Sequence, residues 1–480
     1  MSYMFKDTIK NFIWRFTERS CAQIIQVLVF IILARMLEPE AFGTIAILMV
    51  IITILQVFID SGLGTALIQK KEADDADFSS VFYFNIGMCI FLYAVLFLLA
   101  PLFASFYKDL SLIPLIRVLA LMLIISGVRN IQQAYVSRNM LFKKFFFSTL
   151  GGTIVSAIVG IGVAYKGFGV WALVAQQVVK VAVDTLILWS TVDWRPKLLF
   201  SFNKLNGLLS YGWKLLLSAL IDTTYNNLRQ LIIGKLYTRV DLAYYNKGYE
   251  IPYLIITNIN TSIDSILLPV MSKEQDNTEK VKNITRKSIQ LSTYLIAPIM
   301  IGMCITSSSF IPLILTDKWL PCIPFLWVFC ITFIFWPIHT SNLNAIKALG
   351  RSDLFLKLEI WKKFIGLIVL ISTMWYGVMV MACSLLLLSV LSQIINSWPN
   401  KKLLNYSYIN QLKDILPNIL LSCIMGLCTY PIAFLNLNHL HILCFQIIAA
   451  SIIYIALSFV FKPVAFVYLL NMIKSFLVKE

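Results

Sequence analysis

The sequence predicts an all-α polytopic membrane protein of about fourteen transmembrane helices: two repeated six-helix lobes followed by two further helices. Three observations lead there. Hydrophobic residues fill 59% of the 480 positions and charged residues only 13%, with a mean hydropathy of +0.81. Soluble domains carry about twice that share of charge, because a water-facing surface needs it. Apolar runs of about 20 residues, the length that crosses a hydrocarbon core, recur along the chain. Short sequence elements also recur between the two halves in the same direction, as in transporters built from repeats.

The predicted spans, in order, are 20–37, 42–60, 79–103, 112–133, 148–165, 168–190, 208–235, 247–271, 289–315, 322–346, 357–376, 377–397, 412–434 and 439–461. Only Trp375, Tyr376 and Gly377 mark the turn between the eleventh and twelfth. The tail after Pro463 is short, apolar and flanked by lysines, a composition that suits the membrane interface. Domains are drawn as 1–207 and 208–402 for the lobes and 403–480 for the extra helices and tail. The segment 1–20 carries Lys6, Lys10, Arg15, Glu18 and Arg19 without a small-residue cleavage site, and reads as an uncleaved start.

Topology follows from the cations. With the N-terminus in the cytoplasm and strict alternation, inside segments hold about 29 Lys and Arg, outside segments about 7, and about four lie within spans. This favours an even number of spans and both termini in the cytoplasm. The net charge of +16 is therefore a topology signal rather than a nucleic-acid footprint. The nine cysteines form no CxxC pair and read as small apolar packing residues.

The repeat pairs Ile59-Asp60-Ser61 with Ile263-Asp264-Ser265 at the end of the second span of each half. It also pairs Arg138, Phe142 and Lys144 with Arg351, Phe355 and Lys357 after the fourth. Asp60 and Asp264 suit capping, interlobe packing or gating equally well.

Charges at bilayer depth are costly and usually face a cavity or a partner. Span seven carries Tyr211, Lys214, Ser218, Asp222, Tyr225, Asn226 and Arg229, which fall within an arc of about 120° on a helix. Arg15, Arg19, Gln23 and Gln26, before and within span one, fall within about 80° of one another. Two polar stripes on repeat-related helices suit one central cleft, and their arginines and lysines suit an anionic group. The bland alternative is that Arg15, Arg19 and Lys214 snorkel to headgroups, as Arg117 is expected to do. Lys180 and Asp184, spaced i, i+4, suit mutual neutralisation first and proton coupling second. His339 reads as a packing residue, and His439 and His441 suggest no metal site.

No phosphate loop occurs, since Gly62 and Gly64 are followed by Thr65-Ala66-Leu67 rather than Lys-Ser/Thr. Paired catalytic carboxylates, nucleophile elbows and metal clusters are not found in the sequence, and the connectors are short. The expectation is a transporter with no catalytic residue, metal or cofactor, rather than a transferase or polymerase acting on lipid-linked sugars.

The connector Leu33-Ala34-Arg35-Met36-Leu37-Glu38-Pro39-Glu40-Ala41-Phe42-Gly43 resembles the signature of Wzx-type polysaccharide flippases, in the WzxC-like lipopolysaccharide branch. Further matches follow in family order. They are Ser61-Gly62-Leu63-Gly64-Thr65-Ala66-Leu67-Ile68-Gln69-Lys70, Gly169-Val170-Trp171-Ala172-Leu173-Val174 and Trp194-Arg195-Pro196-Lys197, then Leu268-Pro269-Val270-Met271-Ser272, Lys318-Trp319 and Ala348-Leu349-Gly350-Arg351-Ser352. The resemblance implies the multidrug/oligosaccharidyl-lipid/polysaccharide (MOP) exporter superfamily, whose two six-helix lobes form a V and work by alternating access. It implies undecaprenyl-diphosphate-linked glycan as the cargo, carried to the outer leaflet for exopolysaccharide, capsule or O-antigen assembly. Relatives commonly carry an acidic residue where this chain has Arg229 or Gln230.

On this reading Arg15, Arg19, Lys214 and Arg229 contact the diphosphate. Gln23, Gln26 and Asn226 bond sugar hydroxyls, while Asp222, Lys180 and Asp184 gate or couple. The expected partners are the lipid-linked glycan, membrane lipid and, as candidates, a polysaccharide polymerase and glycosyltransferases, with no nucleic acid and a monomeric protein. The rivals are a multidrug or cation antiporter of the same superfamily, which should favour an acidic cavity, and a flippase for peptidoglycan precursors.

Overall fold

A computed structural model of the protein describes residues 2–60 and 62–477, with side chains for 14, 17–60, 62–210, 212–471 and 474. The described residues are helical throughout and contain no strand. Seventeen α-helices follow one another. The first seven are α1 (Ser2–Met36), α2 (Pro39–Asp60), α3 (Leu63–Gln69), α4 (Asp75–Phe106), α5 (Leu112–Arg138), α6 (Phe142–Tyr165) and α7 (Val170–Thr191). Then come α8 (Phe202–Leu236), α9 (Arg239–Lys273), α10 (Thr278–Leu315), α11 (Ile323–Ile334), α12 (Trp336–Ala348) and α13 (Ser352–Thr373). The last are α14 (Val378–Leu403), α15 (Tyr408–Thr429), α16 (His439–Phe461) and α17 (Val464–Leu477).

Each of the fourteen expected spans lies on helix, and twelve of the described helical segments are long and apolar enough to cross a membrane. The two that fall short are α8 and α13, and the cause is charge. Lys214, Asp222 and Arg229 interrupt α8, and Lys357, Glu359, Lys362 and Lys363 crowd the first half of α13. The expected span 322–346 is divided at Phe335 into α11 and α12, where Pro337 removes a backbone donor from the first turn of α12. Gly377, with φ of 108°, makes the turn between α13 and α14.

The chain divides into two compact units, one ending at Ala243 and the next beginning at Tyr244. In the first, α4 opens on a capping box: the Asp74 carboxylate accepts from the Asp77 amide, and Asp77 returns the bond to Asp74. Its aromatic core brings Phe78, Phe82, Tyr135 and Trp194 together. Helix α8 packs with unusual closeness on the turn between α2 and α3. A Cβ added to Gly212 would lie 3.0 Å from the carbonyl carbon of Gly62, and Gly62 itself holds φ at 136°. Only glycines allow that crossing.

In the second unit α9 packs an aromatic row, Tyr245, Tyr249 and Tyr253, against Phe329, Phe333 and Trp336. Helix α15 is tied down by buried amides. Asn342 Nδ2 donates to Gln411 Oε1 at 2.9 Å and Gln411 Nε2 donates back to Asn342 Oδ1 at 2.9 Å. Below them Asp414 accepts from Arg286 through two nitrogens, from Gln290 and from the Tyr406 hydroxyl. Helix α17 buries Ala465 and Phe466 and leaves Val467, Tyr468 and Lys474 exposed.

Candidate functional site

The polar stripe expected on span seven lies on α8. Lys214, Ser218, Asp222 and Asn226 are exposed, while Tyr225 is half-buried. Arg229 is the exception, only 8% exposed. On α1, Arg19 and Gln26 are exposed and Gln23 is half-buried. The side chains of Arg15 and Tyr211 lie outside the described residues. The α8 stripe thus presents one exposed and one buried cation, with a carboxylate and an amide between them, and α1 adds the exposed Arg19. Exposed groups of this kind on apolar helices face water or a polar ligand rather than acyl chains.

A second set of charges sits inside the first unit. Arg129 Nη1 of α5 lies 3.4 Å from Asp184 Oδ2 of α7, both largely buried. Asp184 therefore finds its ion-pair partner on another helix. The expected neutralisation by Lys180, one turn back on α7, gives way to Arg129, with Lys180 half-buried beside the pair. The room for this carboxylate comes from Gly152 on α6, where an added Cβ would stand 1.8 Å from Asp184 Oδ1. Nearby Asn130 Nδ2 donates to Asp60 Oδ1 at 3.0 Å, and Thr149 Oγ1 donates to the buried Glu18 at 3.0 Å. Four helices beyond α1 thus meet around one arginine. Arg129 was legible as a cation within the fourth span, but nothing local linked it to Asp184.

The repeat-related pair exists in the second unit too. Asn344 Nδ2 of α12 donates to Asp264 Oδ1 of α9 at 2.8 Å. The other repeated element has diverged. Arg138 donates to the carbonyls of Leu67, Ile68, Lys70 and Lys71 and so caps α3, whereas Arg351 pairs with Asp353. Arg117 lies 4.0 Å over the Phe97 ring, and His339 is held by Ser389 and Asn396. Among the described residues no group of histidines, cysteines and carboxylates could hold a metal ion.

At the far end of α8 from Gly212, Arg239 pairs with Asp109, whose carboxylate also takes the amide and hydroxyl of Ser111 at 2.8 Å each. Arg239 Nη1 reaches Thr44 Oγ1 at 3.3 Å. Lys235 donates to the Phe106 carbonyl and lies 4.0 Å over that ring. Partial burial works to raise the Asp109 carboxyl. The hydrogen bonds from Ser111 and Arg239 outweigh it and hold the group below the usual range. At the opposite end, Lys204 bonds Asp74 and, with the Asp77 amide, brings that carboxyl down to about 2.

Comparison with known proteins adds the following. A family model described as "Polysaccharide biosynthesis protein" matches residues 32–324. The teichuronic acid biosynthesis protein TuaB of Bacillus subtilis (strain 168) is 24% identical over 456 residues, covering 93% of this chain and 93% of that protein. The lipopolysaccharide biosynthesis protein WzxC of Escherichia coli (strain K12) is 24% identical over 412 residues, covering 82% and 83%. Among solved structures, the lipid II flippase MurJ in an inward closed conformation superposes with a TM-score of 0.76 at 15% identity, covering 94% of this chain and 98% of that one. At that identity the likeness is one of fold.

Proposed function

The chain belongs to the polysaccharide biosynthesis protein family, and from that premise we propose that it is a flippase for undecaprenyl-diphosphate-linked oligosaccharide, feeding surface polysaccharide assembly. The observation that carries the reading is the α8 stripe, where Lys214, Asp222 and Asn226 stand exposed on one long helix of a fold shared with a lipid flippase. A diphosphate suits such cations, because charge-assisted hydrogen bonds to its oxygens are strongest where water is scarce. Arg15, Arg19 and Lys214 take the diphosphate, with Arg229 as a fourth contact. Gln23, Gln26 and Asn226 bond sugar hydroxyls, while the prenyl tail stays in lipid. Asp222 positions Arg229 or couples transport to a cation; Lys180 and Asp184, beside Arg129, form the second coupling candidate.

The two lobes, 1–207 and 208–402, alternate in exposing the cargo to either leaflet, and the segment 403–480 supports the second lobe. The protein works as a monomeric transporter without catalysis, in the bacterial inner membrane with both termini in the cytoplasm. Glycosyltransferases act before it and a polymerase after it.

The test is genetic and chemical. A strain lacking the gene should accumulate undecaprenyl-diphosphate oligosaccharide and lose surface polymer, with both restored by the wild-type gene. Arg229→Gln and Asp222→Asn should fail to restore export while the protein still inserts. Intact polymer in the deletion strain, with altered drug or cation tolerance instead, would overturn the reading in favour of an antiporter.

A further inference from the structure

Helix α9 carries a polar face that the stripe on α8 does not account for. Asn258, Thr261, Ser262 and Ser265 are all exposed, and their i, i+3, i+4, i+7 spacing gathers them within an arc of about 100°. The helix counts among the candidate membrane spans, and its opposite face is buried at Ile256, Asn260, Leu267 and Met271. An exposed amide and three hydroxyls on one line are ill suited to hydrocarbon. Asp264, exposed on the edge of the same face, is less suited still.

The hydrogen bonds define what this face can recognise. Thr261 Oγ1 donates to the Thr257 carbonyl at 2.9 Å, Ser262 Oγ to the Asn258 carbonyl at 2.8 Å and Ser265 Oγ to the Ser262 carbonyl at 2.8 Å. Asn258 Nδ2 donates to the Leu254 carbonyl at 2.9 Å. The three hydroxyl protons are thus spent on the helix backbone, leaving oxygen lone pairs to meet a ligand. A second observation lies behind the face. Asn344 is fully buried, donates to Asp264, and leaves its own Oδ1 without a hydrogen-bond partner. No lysine or arginine occurs from Tyr249 to Ser272. The face therefore presents three hydroxyl oxygens as acceptors beside a carboxylate, with no cation among them.

We propose that this face of α9 seats the sugar portion of the cargo, and that the units seated there are neutral: hexoses or N-acetylhexosamines, whose hydroxyl and acetamido N–H groups donate to it. Uronic acids are disfavoured by Asp264 and by the lack of a cation on this stretch of α9. The assignment rests on the flippase reading above and divides the labour of recognition. Cations on α8 take the diphosphate, and acceptors on α9 take the glycan.

Purified full-length protein would be titrated with three probes: farnesyl diphosphate, farnesyl diphosphate bearing a neutral trisaccharide, and the same lipid bearing a trisaccharide with a terminal hexuronate. Wild type should bind the neutral conjugate roughly tenfold more tightly than the bare lipid, the gain from one or two net hydrogen bonds. The double variant Thr261→Val, Ser262→Ala should lose most of that gain and keep its affinity for farnesyl diphosphate, which also shows that it is folded. An unchanged neutral-conjugate affinity in the double variant would overturn the α9 assignment and leave the flippase reading intact. Preference for the hexuronate conjugate would overturn the neutral class. Failure of wild type to bind any of the three would overturn both readings.

Discussion

Asn344 donates its amide to Asp264 at 2.8 Å, and in the other unit Asn130 does the same to Asp60 at 3.0 Å. The two matching tripeptides thus share one tertiary contact, between an aspartate and an asparagine 80 or 70 residues later on another helix. Replacing Asn344 by Leu strips a hydrogen bond from a charged acceptor, and should lower stability by about 1–3 kcal/mol. Thermal melting in detergent reads this directly, and an unchanged midpoint would show that Asp264 is satisfied otherwise. Asn130→Leu should cost less, because the Arg129 guanidinium also acts on Asp60.

Gly152→Ala should be severe for so small a change. Its Cβ would fall 1.8 Å from Asp184 Oδ1 and 2.9 Å from the Lys180 carbonyl, so Asp184 must leave Arg129 or α6 must shift away from α7. Shortening the acid to serine in the double variant Gly152→Ala, Asp184→Ser should recover part of the melting temperature lost by Gly152→Ala alone. Additive losses would place the fault elsewhere.

Gln411→Leu should cost about 1–3 kcal/mol. It leaves Asn342, buried at 0% exposure, short of a donor and an acceptor together. The cleanest readout is limited proteolysis of the C-terminal helices, which should be cut faster in the variant. Equal cutting rates would mean that α15 is held by its apolar face alone.

Asp109 supplies a pH test. Its carboxyl is held below the usual range in the folded protein, so its contribution to stability is complete above the unfolded carboxyl value of about 3.9 and is lost as pH falls through the folded value. Wild type should therefore melt above Asp109→Asn at neutral pH, and the gap should close as the pH is lowered below about 4. A gap that persists unchanged below that range would show that ionisation of Asp109 is not what stabilises the protein.

The helices were legible because a membrane span advertises itself by length and apolarity, and the expected break at Trp375 to Gly377 is where the chain turns. What escaped was decided by neighbours. The division at Phe335 follows from a proline that reads equally well as a kink. Asp184 carried an obvious partner at i+4 spacing and took another, because a guanidinium on α5 lies closer than an ammonium on its own helix. The α8 and α1 stripes were visible as periodic polarity. The α9 face carries no such signal, since serine, threonine and asparagine are common on buried helix faces, and only its exposure sets this one apart.

The crossing of Gly62 and Gly212 has a mechanical consequence. Backbones in direct contact cannot slide past each other without a clash, so the nearest motion left to α8 is to swing about that point. Arg229 lies seventeen residues along the helix from Gly212, a lever of roughly 25 Å at the rise of an α-helix. A swing of about 10° would carry its guanidinium some ~4 Å, more than a hydrogen-bond length, for almost no displacement at the fulcrum.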